Sequence, residues 1–412
     1  MIQLTEGQKA AQAAFVALLI DPEQSHLLIQ GFAGTGKTFL VNELIRCLPK
    51  TLKMAKLITG NQELTDLVLT ASTNKAAHAL QEATGCPTKT IHKVLNLSVS
   101  MNPVTGETGL SENKPGSLKN SIVIIDEASF ISNELLLIIL RKTENCKVVF
   151  IGDPAQLASP GENTTPVFGA GFITVRMTEV VRQAKDNPII GLATQFREVV
   201  EGGHWPKIEL SDNICHVPRD TFNEAIEIEF TESWEPDCSK ILANTNKRVQ
   251  VYNQAVRENL QGHSNLQAGD WVVNNSYVSG SNTSISTDEN VRISSLRTTT
   301  MFGIEGQSVM VQGSSDPFFM PFNHAHKKKA IASEKKAKRY QNLSIIYNTW
   351  IDLRSPYAST VHKAQGSTYE KVFIDLDDIG RTCRDPNQVA RLLYVAVSRA
   401  SEKVIMTGDL IK

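Results

Sequence analysis

The chain has 412 residues, of which 41% are hydrophobic and 21% charged, and its formal net charge at pH 7 is −1. At roughly 100–200 residues per domain this is enough for two or three domains with real cores, and it excludes a disordered chain, a collagen and a coiled-coil rod. The near-neutral total advertises no global field for nucleic acid, yet a local basic channel fits inside such a total.

The six cysteines, at 47, 86, 146, 215, 238 and 383, form neither a CxxC pair nor a Cys/His cluster. That pattern suits buried, reduced thiols in a cytosolic protein and neither a zinc site nor a disulfide scaffold. No apolar run approaches the ~18 residues of a membrane span. The start, Met1-Ile2-Gln3-Leu4-Thr5-Glu6, lacks the basic and apolar regions of a signal peptide. The expected location is cytoplasmic, with no membrane partner.

In chain order, strands and helices alternate. Leu27–Gln30 reads as a strand that ends in a Gly-rich turn and gives way to a helix from Thr38 to Leu48. Leu67–Thr70 is a second strand, followed by a helix from Lys75 to Ala83. Ile122–Ile125 and Val148–Ile151 are further strands, with a helix over Leu135–Leu140 between them. Continuous apolar strands separated by helices predict a parallel sheet covered on both faces. A second such set follows. It has a strand at Ile241–Ala243, a helix carrying Val249, Tyr252, Val256 and Leu260, and a strand at Val372–Asp375. A last helix is expected from Leu392, and Val404–Thr407 is the final strand.

Two stretches break the alternation. Residues 93–120 hold Asn102-Pro103 and Lys114-Pro115-Gly116-Ser117, with Thr105-Gly106-Glu107-Thr108-Gly109 between them as a turn tip. Residues 265–320 are rich in Ser, Thr, Asn and Gly, with short β-type runs at Trp271–Val273 and Ser308–Val311. A basic run from Lys327 to Arg339 follows, which reads equally as a solvated helix face or as a phosphate contact.

The chemistry sits in two motifs. Gly31-Phe32-Ala33-Gly34-Thr35-Gly36-Lys37-Thr38 fits G-x-x-x-x-G-K-[ST] between a strand and a helix. The glycines let backbone N–H groups curl around phosphate oxygens at a helix N-terminus. Lys37 would reach the β- and γ-phosphates and the Thr38 hydroxyl would ligate Mg²⁺. The strand Ile122–Ile125 ends in Asp126 and Glu127. Asp126 suits Mg²⁺ held through water, and Glu127 suits a base for an attacking water. Together they establish a nucleoside triphosphatase.

Further segments narrow the class. Gly152-Asp153-Pro154-Ala155-Gln156-Leu157, Thr178–Gln183, Ser359–Thr368 and Leu393–Ala400 stand in that order, after Thr70–Ala77 and Thr90-Ile91-His92. The series resembles superfamily 1 helicases, and the short chain with Leu4–Gln8 at its start resembles the 1B branch of RecD-like and Dda-like enzymes. The resemblance runs from residue 4 to 400 and is weakest between 265 and 345. One departure is Ser72, where the family usually has proline.

The resemblance implies an α/β fold of two RecA-like parallel-sheet P-loop domains with ATP in the cleft between them. Domain 1A would be residues 1–92 and 121–180, and the small hairpin insert 1B, a duplex-splitting pin, residues 93–120. Domain 2A would be 181–264 and 346–412, and 2B, an SH3-like β insert with the basic helical segment, 265–345. Arg182 and Arg399 are the implied transition-state arginines. Gln156 would couple the γ-phosphate site to the DNA side, and Gln365 would lie near the phosphates. Gln8 has two readings. Thr5-Glu6-Gly7-Gln8 fits a helix capping box, and the family's Q motif implies that the Gln8 amide pairs with adenine.

On the DNA side, the implied contacts are Thr73, Asn74, Thr90, His92, Thr360 and His362, all suited to gripping a backbone without reading sequence. The expected function is an ATP- and Mg²⁺-dependent helicase moving 5′→3′ on single-stranded DNA and acting at single/double-strand junctions. It would work as a monomer and a phage replication or recombination accessory, in the host cytoplasm if phage-encoded. Single-strand-binding or replication proteins are candidate partners. The competing readings are a translocase that strips proteins from DNA, a RecD-like subunit of a nuclease complex, and RNA as the track.

Overall fold

The computed structural model describes residues 4–59, 64, 66–101, 108–112, 117–159, 165–181, 187–262, 265–323 and 325–410. They fall into two compact units. One lies within Met1–Asn213, Gln365–Ser367 and Cys383–Arg399, the other within Ile214–Ala364, Thr368–Thr382 and Ala400–Lys412.

The first unit opens with α1 (Glu6–Ile20), then β1 (His26–Gly31), α2 (Lys37–Thr59), β2 (Asp66–Ala71), α3 (Asn74–Thr84), β3 (Thr88–Thr90) and α4 (Ile91–Val94). A hairpin of β4 (Leu97–Met101) and β5 (Thr108–Glu112) follows, then β6 (Ser121–Asp126), α5 (Asn133–Lys142), β7 (Lys147–Gly152), β8 (Ile173–Met177) and α6 (Pro188–Val200). The strands form one parallel sheet in the order β8-β1-β7-β6-β2-β3. Its central strands are apolar throughout because both faces are covered. Leu27, Ile29, Ile122, Ile124, Val149 and Ile151 pack against α1 and α2, while Leu28, Val123, Ile125, Val148 and Phe150 pack with α5 on the other face.

Two boundaries differ from the sequence expectation. The helix α2 does not stop at Leu48 but runs on through Pro49 to Thr59. Pro49 removes one helical N–H donor, and burial of Thr51 and Ala55 beyond it outweighs that loss. The hairpin β4–β5 is antiparallel, Leu97 opposite Glu112 and Met101 opposite Thr108. Of its expected turn tip, Thr108 and Gly109 are instead the first residues of β5, opposite Met101 and Ser100, while 105–107 and 114–116 lie outside the described residues.

The second unit contains β9 (Ile214–His216), β10 (Ser239–Ala243), α7 (Asn246–Gln261), β11 (Trp271–Asn274), β12 (Asn290–Met301), β13 (Ile304–Val311) and β14 (Phe318–Pro321). After these come α8 (Ala325–Lys336), α9 (Tyr340–Thr349), β15 (Leu353–Arg354), β16 (Ala358–Thr360), α10 (Val361–Ala364), β17 (Tyr369–Asp375) and, last, β18 (Ala400–Thr407). A parallel sheet has the order β9-β18-β17-β10-β16. An antiparallel sheet has the order β14-β13-β12-β11-β15 and its own core around Val272, Ile293, Val309 and Phe318. Phe302 and Gly303 join β12 to β13 with φ of 50° and 75°, the backbone a two-residue hairpin turn needs. This sheet reaches past the expected boundary at 345, because Leu353–Arg354 is its edge strand.

The helix α11 (Pro386–Val397) belongs to the first unit, packed against α6. It starts six residues before the expected Leu392. Asp385 caps it, accepting from Asn387 N–H, and Pro386 is its first residue. The polar first turn hides the start from a reading of apolar periodicity.

Candidate nucleotide and nucleic-acid sites

The carboxyl ends of β1, β7 and β6 are neighbours in the first sheet, which is where ligands of parallel sheets bind. Three loops meet there: 31–38, 152–157 and 126–130.

The loop 31–38 is held without any ligand. Phe32 carbonyl accepts from Thr35 N–H at 3.3 Å, Thr35 Oγ1 at 2.8 Å and Lys37 Nζ at 3.3 Å. Gly36, at φ 77°, is required twice over, since a side chain there would also press within 2.7 Å of the Gln8 amide nitrogen. Thr38 lies exposed in the first turn of α2.

Both readings of Gln8 bear on this loop. The capping box is present: Gln8 N–H donates to Thr5 Oγ1 at 3.2 Å, and Thr5 N–H donates to Gln8 Oε1 at 3.1 Å. Gln8 Nε2 also donates to Thr35 carbonyl at 3.0 Å, so the first helix is tied to the phosphate loop. One N–H and one lone pair of the amide remain for a base.

Asp126 and Glu127 end β6. Asp126 Oδ1 accepts Glu127 N–H at 2.9 Å. Glu127 sits in the left-handed region, at φ 52° and ψ 46°, which costs a non-glycine residue about 1–3 kcal/mol and is found at tight turns and at functional sites. Ser72 stabilises it: Ser72 Oγ donates to Glu127 carbonyl at 2.8 Å, and Ser72 N–H donates to Asp126 carbonyl at 3.2 Å. Burial pushes both carboxyls above their usual range. Asp126 raises Glu127 further, while Lys37 and Arg399 pull it down.

Gln156 and Gln365 meet directly. Gln365 Nε2 donates to Gln156 Oε1 at 2.7 Å and lies 3.2 Å from Ser129 Oγ, in the turn after Glu127. Two acceptors in this region, Glu127 Oε2 and Gln365 Oε1, are buried with no partner. Each such orphan costs about 1–3 kcal/mol, so the site is built for a polar guest.

Arg399 lies just past the end of α11, after Ser398. It is 7% exposed. Its guanidinium donates to Val395 carbonyl, Ser367 carbonyl and Ser398 Oγ at 3.1, 2.9 and 2.9 Å. Arg182 lies outside the described residues.

Sequence reasoning missed Tyr394, Asp153 and Arg391. Tyr394 hydroxyl donates to Asp153 Oδ2 and accepts Ala33 N–H at 2.9 Å, so it links the loop after β7 to the phosphate loop. Burial and Asp153 push its phenol pKa well above 10, which keeps the donor proton in place. Arg391 Nη1 donates to Pro154 and Gln156 carbonyls at 2.6 and 2.9 Å. The available signal was a tyrosine and an arginine within an otherwise apolar helix.

The candidate DNA residues repeat one local device. Thr90 and Thr360 end a strand and Thr73 lies two residues past one; each caps the helix that follows, with Oγ1 of Thr73, Thr90 and Thr360 accepting N–H of Ala76, Lys93 and Lys363 at 3.2, 3.3 and 3.3 Å. Each hydroxyl proton remains available to a phosphate oxygen. Asn74 is the first residue of α3. Burial lowers the pKa of His92 and of His362, so both rings are neutral at physiological pH. Thr73, Asn74, Thr90 and His92 lie in the first unit, Thr360 and His362 in the second.

No group of metal-binding side chains occurs among the described residues, all six cysteines are free, and no described helix is long and apolar enough to cross a membrane.

Comparison with known proteins adds to this geometry. An AAA-domain family profile matches residues 3–204, and a UvrD-like helicase C-terminal domain profile matches residues 356–407. The chain is 28% identical to the ATP-dependent DNA helicase dda of Enterobacteria phage T4, over 96% of this chain and 97% of that one. It is 29% identical to the ATP-dependent RecD2 DNA helicase of Deinococcus radiodurans, over 43% of this chain and 22% of that one. Its fold resembles a Bacteroides Pif1 helicase solved with ADP-AlF3 and ssDNA, with a TM-score of 0.55 at 17% identity, covering 100% of this chain and 94% of that chain.

Proposed function

We propose that the chain is a superfamily 1B DNA helicase of the Dda-like and RecD-like kind, an ATP hydrolase with two RecA-like domains, whose residues divide the work as follows. The end-to-end match to the phage helicase favours a self-contained enzyme over a subunit of a nuclease complex. It translocates 5′→3′ on single-stranded DNA and separates duplex at junctions.

The observation that carries the mechanism is the pair of orphaned acceptors, Glu127 Oε2 and Gln365 Oε1. They receive the attacking water, and Glu127 takes its proton as general base. The backbone amides of Gly34, Gly36, Lys37 and Thr38, with the Lys37 ammonium, hold the triphosphate, with Gly34, Thr35 and Gly36 shaping the loop. Gln8 keeps an N–H and a lone pair for adenine. Thr38 and Asp126, the latter through water, would hold Mg²⁺, which would supply positive charge to offset that of the phosphates. Arg399, with Arg182 as the second candidate, stabilises the charge that develops in the transition state.

Gln156, on Gln365, links hydrolysis to the DNA side. Thr73, Asn74, Thr90, His92, Thr360 and His362 hold the DNA backbone. In this reading the domains are 1A (1–92 and 121–180), the 1B pin (93–120), 2A (181–264 and from 355 on) and an SH3-like 2B that, with its edge strand Leu353–Arg354, covers 265–354.

The test is unwinding of duplexes with only a 5′ or only a 3′ single-stranded overhang, with ATP and Mg²⁺. The proposal expects separation from the 5′ overhang alone. Lys37→Ala should abolish it while DNA binding persists. Separation from the 3′ overhang, or none by the wild type, overturns the assignment.

A further inference from the structure

The densest like charge among the described residues lies away from the nucleotide loops, on the helical hairpin α8–α9. Residues 325–349 carry six lysines and Arg339 against one acid, Glu334, in a chain of net charge −1. That acid is turned inward. Glu334 is 3% exposed and accepts from Arg339 Nε and Nη2 at 2.6 and 2.7 Å and from Asn342 Nδ2 at 2.8 Å. Lys327 is also engaged, donating to Trp350 carbonyl at 2.7 Å. Lys328, Lys329, Lys335, Lys336 and Lys338 are left. All are exposed, and none of their ammonium groups has a partner among the described residues.

Helix geometry makes these lysines a ridge. Ala330, Ile331 and Glu334, with the stem of Lys327, face the protein at helical spacing. Lys329 and Lys336 lie opposite that face, with Lys328 and Lys335 about 100° round the helix from them; each pair is seven residues, about 10.5 Å, apart along the axis. The hairpin is rigidly mounted. Trp350, fully buried, packs on Phe319 with ring centroids 4.6 Å apart, and its Nε1 donates to Met301 Sδ at 3.1 Å. Lys338, at φ 53°, turns the chain between the helices, and Arg339 N–H closes on Glu334 carbonyl at 3.0 Å.

We propose that this ridge is a second DNA-contact surface whose ligand is the phosphate backbone of duplex DNA; the proposal rests on the helicase reading. Lysines on a convex helix bind phosphate oxygens as point charges and read no sequence. Single-strand surfaces interleave cations with stacking aromatics. The lysine face carries only Ala332 and Ser333 between its charges, and the exposed tyrosines of the hairpin, Tyr340 and Tyr347, are on α9. A duplex also presents one charge per ~1.7 Å of axis against ~3.4 Å for one strand, the better complement to a fixed row of cations. The ridge holds the double-stranded arm of a substrate while other residues hold the single strand.

The experiment compares the full chain with the quadruple variant Lys328→Ala/Lys329→Ala/Lys335→Ala/Lys336→Ala, using a blunt hairpin duplex and an oligothymidylate across a salt series. The variant should bind the duplex at least about tenfold more weakly, with the slope of log K against log salt smaller by about 0.9 for each lysine in contact. Its oligothymidylate affinity and oligothymidylate-stimulated ATP hydrolysis should stay within about twofold, because no single-strand phosphate contact is removed. The matching Lys→Arg variant should bind duplex as the wild type does. An unchanged duplex affinity and slope overturns the proposal, leaving a solvated face. Equal losses on both probes overturn it in favour of a single-strand surface. If the helicase reading itself is wrong, the wild type shows no oligothymidylate-stimulated hydrolysis, a result separable from either.

Discussion

Ser72 holds the backbone of Glu127: its hydroxyl donates to the Glu127 carbonyl at 2.8 Å, while its own N–H donates to Asp126 carbonyl. Proline, usual here among superfamily 1B helicases, makes neither bond. This chain therefore fixes the left-handed turn at its proposed base by a route of its own. Ser72→Ala removes the hydroxyl bond, worth about 1 kcal/mol. It should lower DNA-stimulated ATP turnover by roughly five- to tenfold at unchanged ATP affinity. Steady-state hydrolysis at saturating ATP checks this, and an unchanged turnover number removes Ser72 from the positioning of Glu127.

Glu127→Gln keeps the shape of the side chain and loses the base. The variant should bind ATP normally and hydrolyse it at least about a hundredfold more slowly, the scale of general-base catalysis. It should accumulate as an ATP- and DNA-bound complex. Equilibrium nucleotide binding beside single-turnover hydrolysis tests this, and loss of nucleotide binding would make Glu127 structural.

Arg399 donates to two carbonyls and a hydroxyl of its own unit, so its removal should register twice. Arg399→Ala should reduce turnover about a thousandfold or more, with ATP affinity held within several-fold and a lower melting temperature. Arg399→Lys should recover little, since a point charge on a flexible stem cannot replace a planar fork. Turnover within about tenfold of wild type would pass the role to Arg182.

His92 and His362 have pKa values lowered by burial from the usual 6.5. A lowered value in the folded state means that stability is present above the unfolded pKa and lost as pH falls through the folded one. Between about pH 8 and 6.5 both rings stay neutral, so oligothymidylate affinity at constant ionic strength should change by less than about twofold. Marked tightening across that range, abolished in His92→Gln or His362→Gln, would show cationic contacts instead.

Much of the fold was readable because apolar runs such as Ile122–Ile125 and Val148–Ile151 belong to central strands covered on both faces. The edge strands β3 and β8 were not, because an edge carries little periodicity; Ile173 in β8 is 47% exposed. The phosphate loop was legible because its chemistry is local in sequence. The contacts of Ser72 and Tyr394 were not. A hydroxyl that bonds a carbonyl 55 residues away, or a carboxylate 241 residues away, leaves no spacing to recognise.

That last separation bears on how the protein is made. Asp153 sits fully buried beside the phosphate loop, and the hydroxyl that satisfies it arrives with α11. At the usual 5–20 residues per second of synthesis, Tyr394 leaves the ribosome roughly 10–50 seconds after Asp153. For that interval one oxygen of the buried Asp153 carboxylate lacks its donor, the other being held by Ala155 N–H at 2.9 Å, and the carbonyls of Pro154 and Gln156 still lack Arg391. The nucleotide loop therefore cannot reach its final form during translation of the first half of the chain. A nascent chain arrested before residue 386 should display the parallel sheet but remain more open to protease around 152–157 than the released protein.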